Sequence, residues 1–435
     1  MSWEKYFSFN ASLRSFIKNG GTYMFFSVVN RAIPFVLLPV LTKYLRPDEF
    51  GVIAVFTVIM SVATPIIGLC SNSVLWQKYF KLNNEERVYF INDSYKIMAG
   101  MFVIVTLIAV TAYPWIEAWI RIPLFWVEVA LVCGLMSMSA TLTSTIFQLR
   151  KQAVKFGVLQ SSSVVTNLLL SILFVVYFKL SWQGRLLAIL LSSFIIFVYA
   201  VHVNYKNNDI SLQKMRRSPQ LFTIMSLGGA LIPTTVSGWA LSMSDRIFLT
   251  RLTSLDAVGI YSIGIMIGQI VDVILNSFHQ SYQPVFFEAV SQNTFEKRIR
   301  IVQVIYLFII FSLLVALIIS LLSPLILRVM VDKRYAEAQS IVAWIAFSNA
   351  FWSIGALFYN LILSAEKNGV ASLVSYATII INLAANYLFI TAYGMRGAAI
   401  GSMVSSASFM LLFAFASLRY HRMPWLDTKV LKWSL

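Results

Sequence analysis

Charged side chains are scarce in this sequence and cysteine is nearly absent. Asp, Glu, Lys and Arg make up 12% of 435 residues, while 59% are hydrophobic. A soluble domain is about 25% charged, so this balance excludes a soluble globular protein and puts most of the chain in a bilayer. The two cysteines, Cys70 and Cys133, each sit inside an apolar run. That excludes a disulfide framework or a cysteine metal site and leaves them as small core fillers. The three histidines, His202, His279 and His421, are too far apart for a metal site. No G-x-x-x-x-G-K-[ST] phosphate loop is present, which excludes the nucleotide-hydrolysing part of a pump. Acidic residues are few, 18 against 34 basic ones, for a net charge of +16. Such an excess can mark a nucleic-acid binder. Here, however, Lys and Arg form short clusters between apolar runs, with no long basic tail and no aromatic platform for bases. The expectation is a protein that is not an enzyme, holds no cofactor or metal, and binds no nucleic acid. The opening residues lack the apolar core and cleavage site of a signal peptide, so the first span is expected to be the targeting signal.

What is present is a series of about twelve helix-length apolar runs, the signature of an all-α polytopic membrane protein rather than a barrel. The predicted spans are 20–44, 50–75, 96–114, 123–148, 157–178 and 184–203, then 222–248, 257–281, 301–322, 338–363, 370–391 and 396–417. Alternate connections hold about 22 of the Lys and Arg residues against about 11 in the others, which puts both termini in the cytoplasm. Residues 1–18 form an amphipathic segment expected on the cytoplasmic lipid surface. The longest polar connection, near the midpoint, divides the chain into a lobe of residues 1–203, a cytoplasmic linker 204–221, a second lobe 222–417 and a tail 418–435.

The halves repeat. Leu41, Thr42, Asp48 and Gly51 match Leu249, Thr250, Asp256 and Gly259 at an offset of about 208. Lys43 matches Arg251, Gly20-Gly21 match Gly228-Gly229, Lys155 matches Lys367, and Gly184 matches Gly397. With about six spans each, the halves enter the membrane in the same sense, a parallel repeat that places a substrate site between them.

Ionisable residues inside the apolar runs are the candidates for function. Arg31 lies about 11 residues into the first span, roughly 16 Å deep in a hydrocarbon layer about 30 Å thick. A charge there costs on the order of 2.5–3.5 kcal/mol, so it must face a partner or water. It is a candidate for lining a cavity for an anionic substrate; the alternative is a structural charge paired to a carbonyl or an acid. Asp245 and Arg246, successive residues about 100° apart on a helix, are either cavity groups or an outer-end pair reaching the interface. Asp272 is the one carboxylate clearly mid-span, and Asn276, Gln280 and Gln283 share its helical face. It is a candidate for coupling to H+ or Na+. Pro34, Pro39, Pro65 and Pro233 permit bending, and Gly264-x-x-x-Gly268 permits close helix approach. Pro34, Pro39, Gly264 and Gly268 are therefore candidates for a hinge or gate.

The pattern N-R-x-x-x-x-x-L-x-P-x-L-T-K-Y-L-x-P-x-x-F-G at 30–51 resembles the opening of Wzx-type O-antigen and polysaccharide flippases of the MOP superfamily. G-R-L-L-A at 184–188, S-D-R at 244–246, L-D-A-V-G-I-Y-S at 255–262 and Q-x-Y-Q-P-x-F-F-E at 280–288 are similar to the same family. The resemblance implies a MATE-like fold of two six-helix lobes in a bacterial inner membrane. It implies alternating-access translocation of an undecaprenyl-pyrophosphate-linked glycan, an intermediate of lipopolysaccharide O-antigen assembly, with membrane lipids and a polysaccharide polymerase as partners. A cationic cavity in that family points to Arg31 and Arg246, with Asn30 and Gln280 as further substrate contacts and Asp245 beside Asp272 as an ion-coupling candidate. The alternative on the same fold is a cation-coupled multidrug antiporter, which would be expected to use deep acids rather than a deep base. Replacing Arg31 by Ala is expected to stop surface polysaccharide assembly while the protein stays in the membrane. Normal surface glycan in cells that carry only that variant would remove the cavity role.

Overall fold

The computed structural model describes residues 26, 29–30, 33, 35–211, 213–292, 294–365, 367–420 and 423–425, and these form helices and connections without a strand. The helices are α1 (Phe35–Tyr44), α2 (Pro47–Ile67), α3 (Ser71–Lys78), α4 (Asn84–Ile120), α5 (Leu124–Leu149) and α6 (Ala153–Ser171). They continue with α7 (Ser181–Lys206), α8 (Leu221–Leu252), α9 (Leu255–Gln292), α10 (Phe295–Met330), α11 (Gln339–Ser364) and α12 (Asn368–Tyr420). Among the described residues nine helices are long and apolar enough to cross a membrane. The longest, α12, turns at Gly394, whose φ of 56° and ψ of −130° suit only glycine, so its 53 residues make two crossings. The all-α polytopic architecture expected from the sequence is what the chain adopts.

Several helices run past the spans read from hydropathy. The 96–114 span is the middle of α4, which begins at a capping box: Asn83 Oδ1 accepts from Glu86 N at 2.9 Å, and Asn83 N donates to Glu86 Oε2 at 2.9 Å. Likewise α9 continues to Gln292 and α10 starts after Thr294, so most of the stretch between the predicted spans 257–281 and 301–322 is helix. Hydropathy marks where lipid begins, not where backbone hydrogen bonding stops.

By contacts the chain forms two compact units. Unit 1 is residues 1–45 with 52–239, and unit 2 is residues 46–51 with 240–435. In unit 1, Leu75 of α3, Phe90 and Ile91 of α4, Leu142 and Ile146 of α5 and Ile224 of α8 are fully buried in one apolar core. The polar connection after α7 is bound onto this unit. Asn204 Nδ2 donates to Thr143 Oγ1 at 2.9 Å, and Asn92 bonds both the carbonyl (2.9 Å) and the amide (3.3 Å) of Ser211. Asp93 accepts from Gln220 N and from Lys96, which also donates to Arg217 O at 2.8 Å. Asp209 pairs bidentately with Arg150. Burial works against the Arg150 charge, but its bonds to Asp209 and Tyr79 outweigh this and raise its pKa above the ordinary value.

Unit 2 is built around Val271 and Leu275 of α9, Phe308 of α10, Leu361 of α11 and Phe413 of α12. Within it, the start of α2 meets the start of α9 at two glycines. A Cβ on Gly51 would come within 2.0 Å of Leu255 O, and one on Gly259 within 1.9 Å of Pro47 O. Both the glycines and their partners are related by the repeat offset of about 208, so the contact is one surface used twice. Substituting Leu at Gly51 or Gly259 is expected to lower the melting temperature through a steric cost of at least about 1–3 kcal/mol. Gly100→Ala, on a face where a Cβ meets nothing within 4 Å, should leave it unchanged or raise it. Thermal unfolding of the purified protein distinguishes these outcomes.

Candidate functional site: buried polar groups of the two units

Ser244, Asp245 and Arg246 follow one another on α8, so a helical turn of about 100° per residue sends them in three directions. Asp245 is 7% exposed. Its Oδ2 accepts the hydroxyl of Tyr261 on α9 at 2.5 Å, and its Oδ1 accepts the Arg246 amide at 2.8 Å. The Arg246 guanidinium stands 3.9 Å from Oδ1 and 3.4 Å from Ser242 O, a loose pair rather than a bidentate one. Tyr261, fully buried, also lies 3.4 Å from Ser402 Oγ on α12.

Ser244 turns instead to the first arm of α12. Its Oγ donates to Asn382 Oδ1 at 3.0 Å and accepts from Asn386 Nδ2 at 3.2 Å. Asn382 Nδ2 donates to Ser405 Oγ at 3.1 Å on the second arm, and Ser405 Oγ donates to Gly401 O at 2.7 Å. Asn382 and Asn386 share a face because they are four apart. These four residues are almost wholly shielded. Of the four, only Ser244 falls in a sequence motif, S-D-R at 244–246. The signal available was polar residues at i, i+4 in an apolar run, the same one that marked the Asp272 face.

Asp272 is half-buried on α9, one turn beyond Gly268 and two turns before His279, whose Nε2 lies 2.9 Å from Ser353 O. Gly264 and Gly268 pack against α11: a Cβ on either would fall within 2.4–2.5 Å of Ile341 or Ile345 side-chain atoms. Asn349 of α11 also donates to Gly268 O at 3.0 Å. At these glycines the helices approach too closely for any larger residue.

In unit 1, Asn30 Oδ1 accepts from Ser161 Oγ of α6 at 2.9 Å. Pro39 is exposed on α1. Arg185 of α7, quoted above only for the motif around it, is a second cation inside an apolar helix. Its Nη1 donates to Asn167 Oδ1 at 2.5 Å and to Ser171 Oγ, both on α6. Arg31 and Pro34 lie outside the described residues, as does the side chain of Gln280. Among the described residues, no three His, Cys, Asp or Glu side chains gather where they would hold a metal ion.

Helices that cross a bilayer repeatedly, a parallel internal repeat, and polar groups buried inside each unit define a multi-pass membrane protein with a transporter fold. The chain belongs to the polysaccharide biosynthesis protein family, whose profile matches residues 16–290. The profile described as MatE matches residues 231–388. Two curated relatives from Haemophilus influenzae match about two thirds of each chain. An "uncharacterized membrane protein" is 23% identical over 288 residues, 64% of this chain and 67% of the relative. The "Lsg locus putative protein 1" is 21% identical over 281 residues, 63% of this chain and 67% of the relative. Among solved structures, an inward-facing multidrug resistance MATE family transporter of the MOP superfamily superposes with a TM-score of 0.72 at 13% identity, covering 93% of this chain and 96% of that one. The lipid II flippase MurJ in an inward closed conformation superposes with a TM-score of 0.73 at 12% identity, covering 91% of this chain and 87% of that one. The fold is that of the MOP superfamily, and the resemblance carried by the motifs at 30–51 and 244–288 holds.

Tyr261→Phe removes the hydroxyl that meets a buried carboxylate. It is expected to destabilise the purified protein by about 1–3 kcal/mol. Ser402→Ala, whose oxygen is 3.4 Å away, should cost less. Thermal unfolding of both variants checks the order.

Proposed function

We propose that this protein is a flippase that carries undecaprenyl-pyrophosphate-linked O-antigen or polysaccharide repeat units from the cytoplasmic to the periplasmic leaflet of a bacterial inner membrane. The observation that carries the reading is the match of residues 16–290 to the polysaccharide biosynthesis family in a chain whose fold is shared with a lipid II flippase. The charge pattern supports an anionic cargo: the chain has 34 basic against 18 acidic residues, and a base, Arg31, falls at mid-depth of the first span. A pyrophosphate and its sugar hydroxyls lose hydration in hydrocarbon at a cost of several kcal/mol per unpaired group, so spontaneous flipping is slow and a polar path is required.

In this reading the diphosphate is met by Arg31 and Arg246, with Asn30 and Gln280 contacting the headgroup, while the isoprenoid tail stays in lipid. Alternating access of residues 1–203 against 222–417 moves the headgroup, and Pro34, Pro39, Gly264 and Gly268 serve as joints or close contacts in that motion. Binding one state more tightly is what shifts the population. Asp272 and Asp245 are the candidates for coupling to H+ or Na+, both termini are cytoplasmic, and the chain itself catalyses no covalent step. A polysaccharide polymerase is the partner that would receive the product. The MATE match at 231–388 favours one second reading, a cation-coupled drug antiporter.

The test is flipping of a lipid-linked oligosaccharide in proteoliposomes. Wild-type protein should flip it, and Arg246→Ala should slow flipping by about tenfold, the effect of losing about 1.4 kcal/mol of binding to the transported state. Asp272→Asn should change the dependence on an imposed ion gradient. Export of cationic drugs with no movement of the lipid would overturn the flippase reading in favour of the second.

A further inference from the structure

Arg185 of α7 puts a full charge inside unit 1 and serves no step of the proposed transport. Its Nη1 donates to Asn167 Oδ1 and Ser171 Oγ of α6, and both oxygens are neutral. Asn167 Nδ2 in turn donates to Ser192 Oγ of α7 at 3.0 Å. No carboxylate among the described residues pairs with the guanidinium. Its Nε is shielded and has no acceptor, and Nη2 donates to no described residue. Nε and Nη2 together form the edge of a guanidinium that meets an oxyanion with two parallel hydrogen bonds. The neutral oxygens hold one corner of the group, and the charged fork is left for a ligand. The side chain is half-buried rather than sealed.

The internal repeat shows that the helix pairing does not need this cation. Gly184 is matched by Gly397, and at the same spacing Arg185 is matched by Ala398 and Ser192 by Ser405. In unit 2 the serine again accepts from an asparagine amide, Asn382 Nδ2 at 3.1 Å, while Ala398 is fully buried. The same contact is built there without a charge, so packing does not account for Arg185. The turn that delivers it is costly as well. Residues 172–177 widen into a π-helical turn, and Lys179 and Ser181 hold left-handed φ values of 55° and 54°. Residues other than glycine enter that region at a cost, and both features gather at functional sites. A Cβ on Gly184 would come within 3.0 Å of Phe174 O, so this glycine lets α7 lie on the wide turn and sets Arg185 beside α6.

The surroundings decide which oxyanion fits. Residues 153–177 and 181–206 are each long and apolar enough to cross a membrane, and Arg185 lies one turn from the start of the second. Leu169, Ile172 and Leu173 are exposed beside it, as are Leu191 and Phe194 of α7. Exposed apolar faces of this kind are covered by acyl chains. Tyr177 is exposed at the turn, and Trp182 meets Trp126 edge-on at 5.5 Å, the aromatic pattern of the headgroup level. A cation between acyl chains and that level is placed for the phosphate of a phospholipid. A glycan headgroup would need a polar surround for its hydroxyls. We propose that unit 1 binds a membrane phospholipid by its phosphate group, on the Nε–Nη2 edge of Arg185, with acyl chain along Leu169 and Leu173. The phosphate is the counter-charge that the protein itself does not supply. This goes beyond the proposed function and does not depend on the cargo. Lipid binding is read without flipping, so either reading can fail alone.

The experiment is thermal unfolding of the purified full-length protein, stripped of lipid in a detergent without phosphate, at constant ionic strength. Dioctanoyl phosphatidylglycerol should raise the melting temperature saturably, since a ligand held only by the folded state stabilises it in proportion to occupancy. Dioctanoylglycerol, with the same chains and no phosphate, should not. Arg185→Lys keeps the charge and loses the fork, and should weaken the lipid's apparent affinity about tenfold. Arg185→Met should abolish the saturable shift. Lys151→Gln, at the other end of α6, should leave it unchanged. Equal stabilisation of the wild type by dioctanoylglycerol would overturn the proposal, and that comparison needs no variant to fold. So would a shift kept in full by Arg185→Lys and Arg185→Met. Farnesyl diphosphate that displaces the phospholipid at lower concentration, in an Arg185-dependent way, would overturn the phospholipid assignment in favour of a cargo diphosphate.

Discussion

Tyr261, Ser244 and Arg185, polar side chains in apolar helices, are each met by other polar groups, and that requirement sets how the helices of each unit are turned about their axes. In a bilayer the hydrophobic effect does not tell one apolar face from another, because lipid is as apolar as leucine. The discriminating contacts are the Tyr261 hydroxyl on Asp245 and the Ser244 hydroxyl on Asn382. They act on adjacent residues of α8, so satisfying both fixes the rotation of that helix against α9 and α12 together. In unit 1 the Arg185 bonds to Asn167 and Ser171 do the same for α7 against α6.

Glycine determines how near the helices come. Where Gly51 and Gly259 lie against Leu255 O and Pro47 O, backbone meets backbone with no side chain between. Gly264 and Gly268 allow the same economy against Ile341 and Ile345 of α11. Small residues supply proximity, and the polar pairs supply orientation. A fold built this way can hold charges at depth without a large apolar driving force.

The broad architecture was legible in the sequence because a bilayer imposes a length on every crossing, and loop residues such as Gly51 and Gly259 keep their identity in both halves. The family was legible because its motifs follow one another in order along the chain, from 30–51 through 184–188 and 244–262 to 280–288. The lengths of α4, α9 and α10 were not, since charged first turns such as those after Asn83 and Thr294 look like loops to a hydropathy scale. Nor was the seam of Ser244, Asn382, Asn386 and Ser405, whose members come from distant parts of the chain and look individually like ordinary packing residues. The sequence leaves Asp245 open between a cavity group and an outer-end pair reaching the interface. Its burial rests on its partner Tyr261, which lies on another helix, and no linear pattern joins the two.

The connection between α7 and α8 inverts what its composition implies. A stretch of Asn, Lys, Asp and Ser between apolar helices looks like the place where a protease would cut or amide protons would exchange with solvent first. Yet its Ser211 and Gln220 amides are bonded to the shielded side chains of Asn92 and Asp93, and its Asp209 is held by Arg150. Deuterium should therefore enter those two amides only as fast as this part of unit 1 opens.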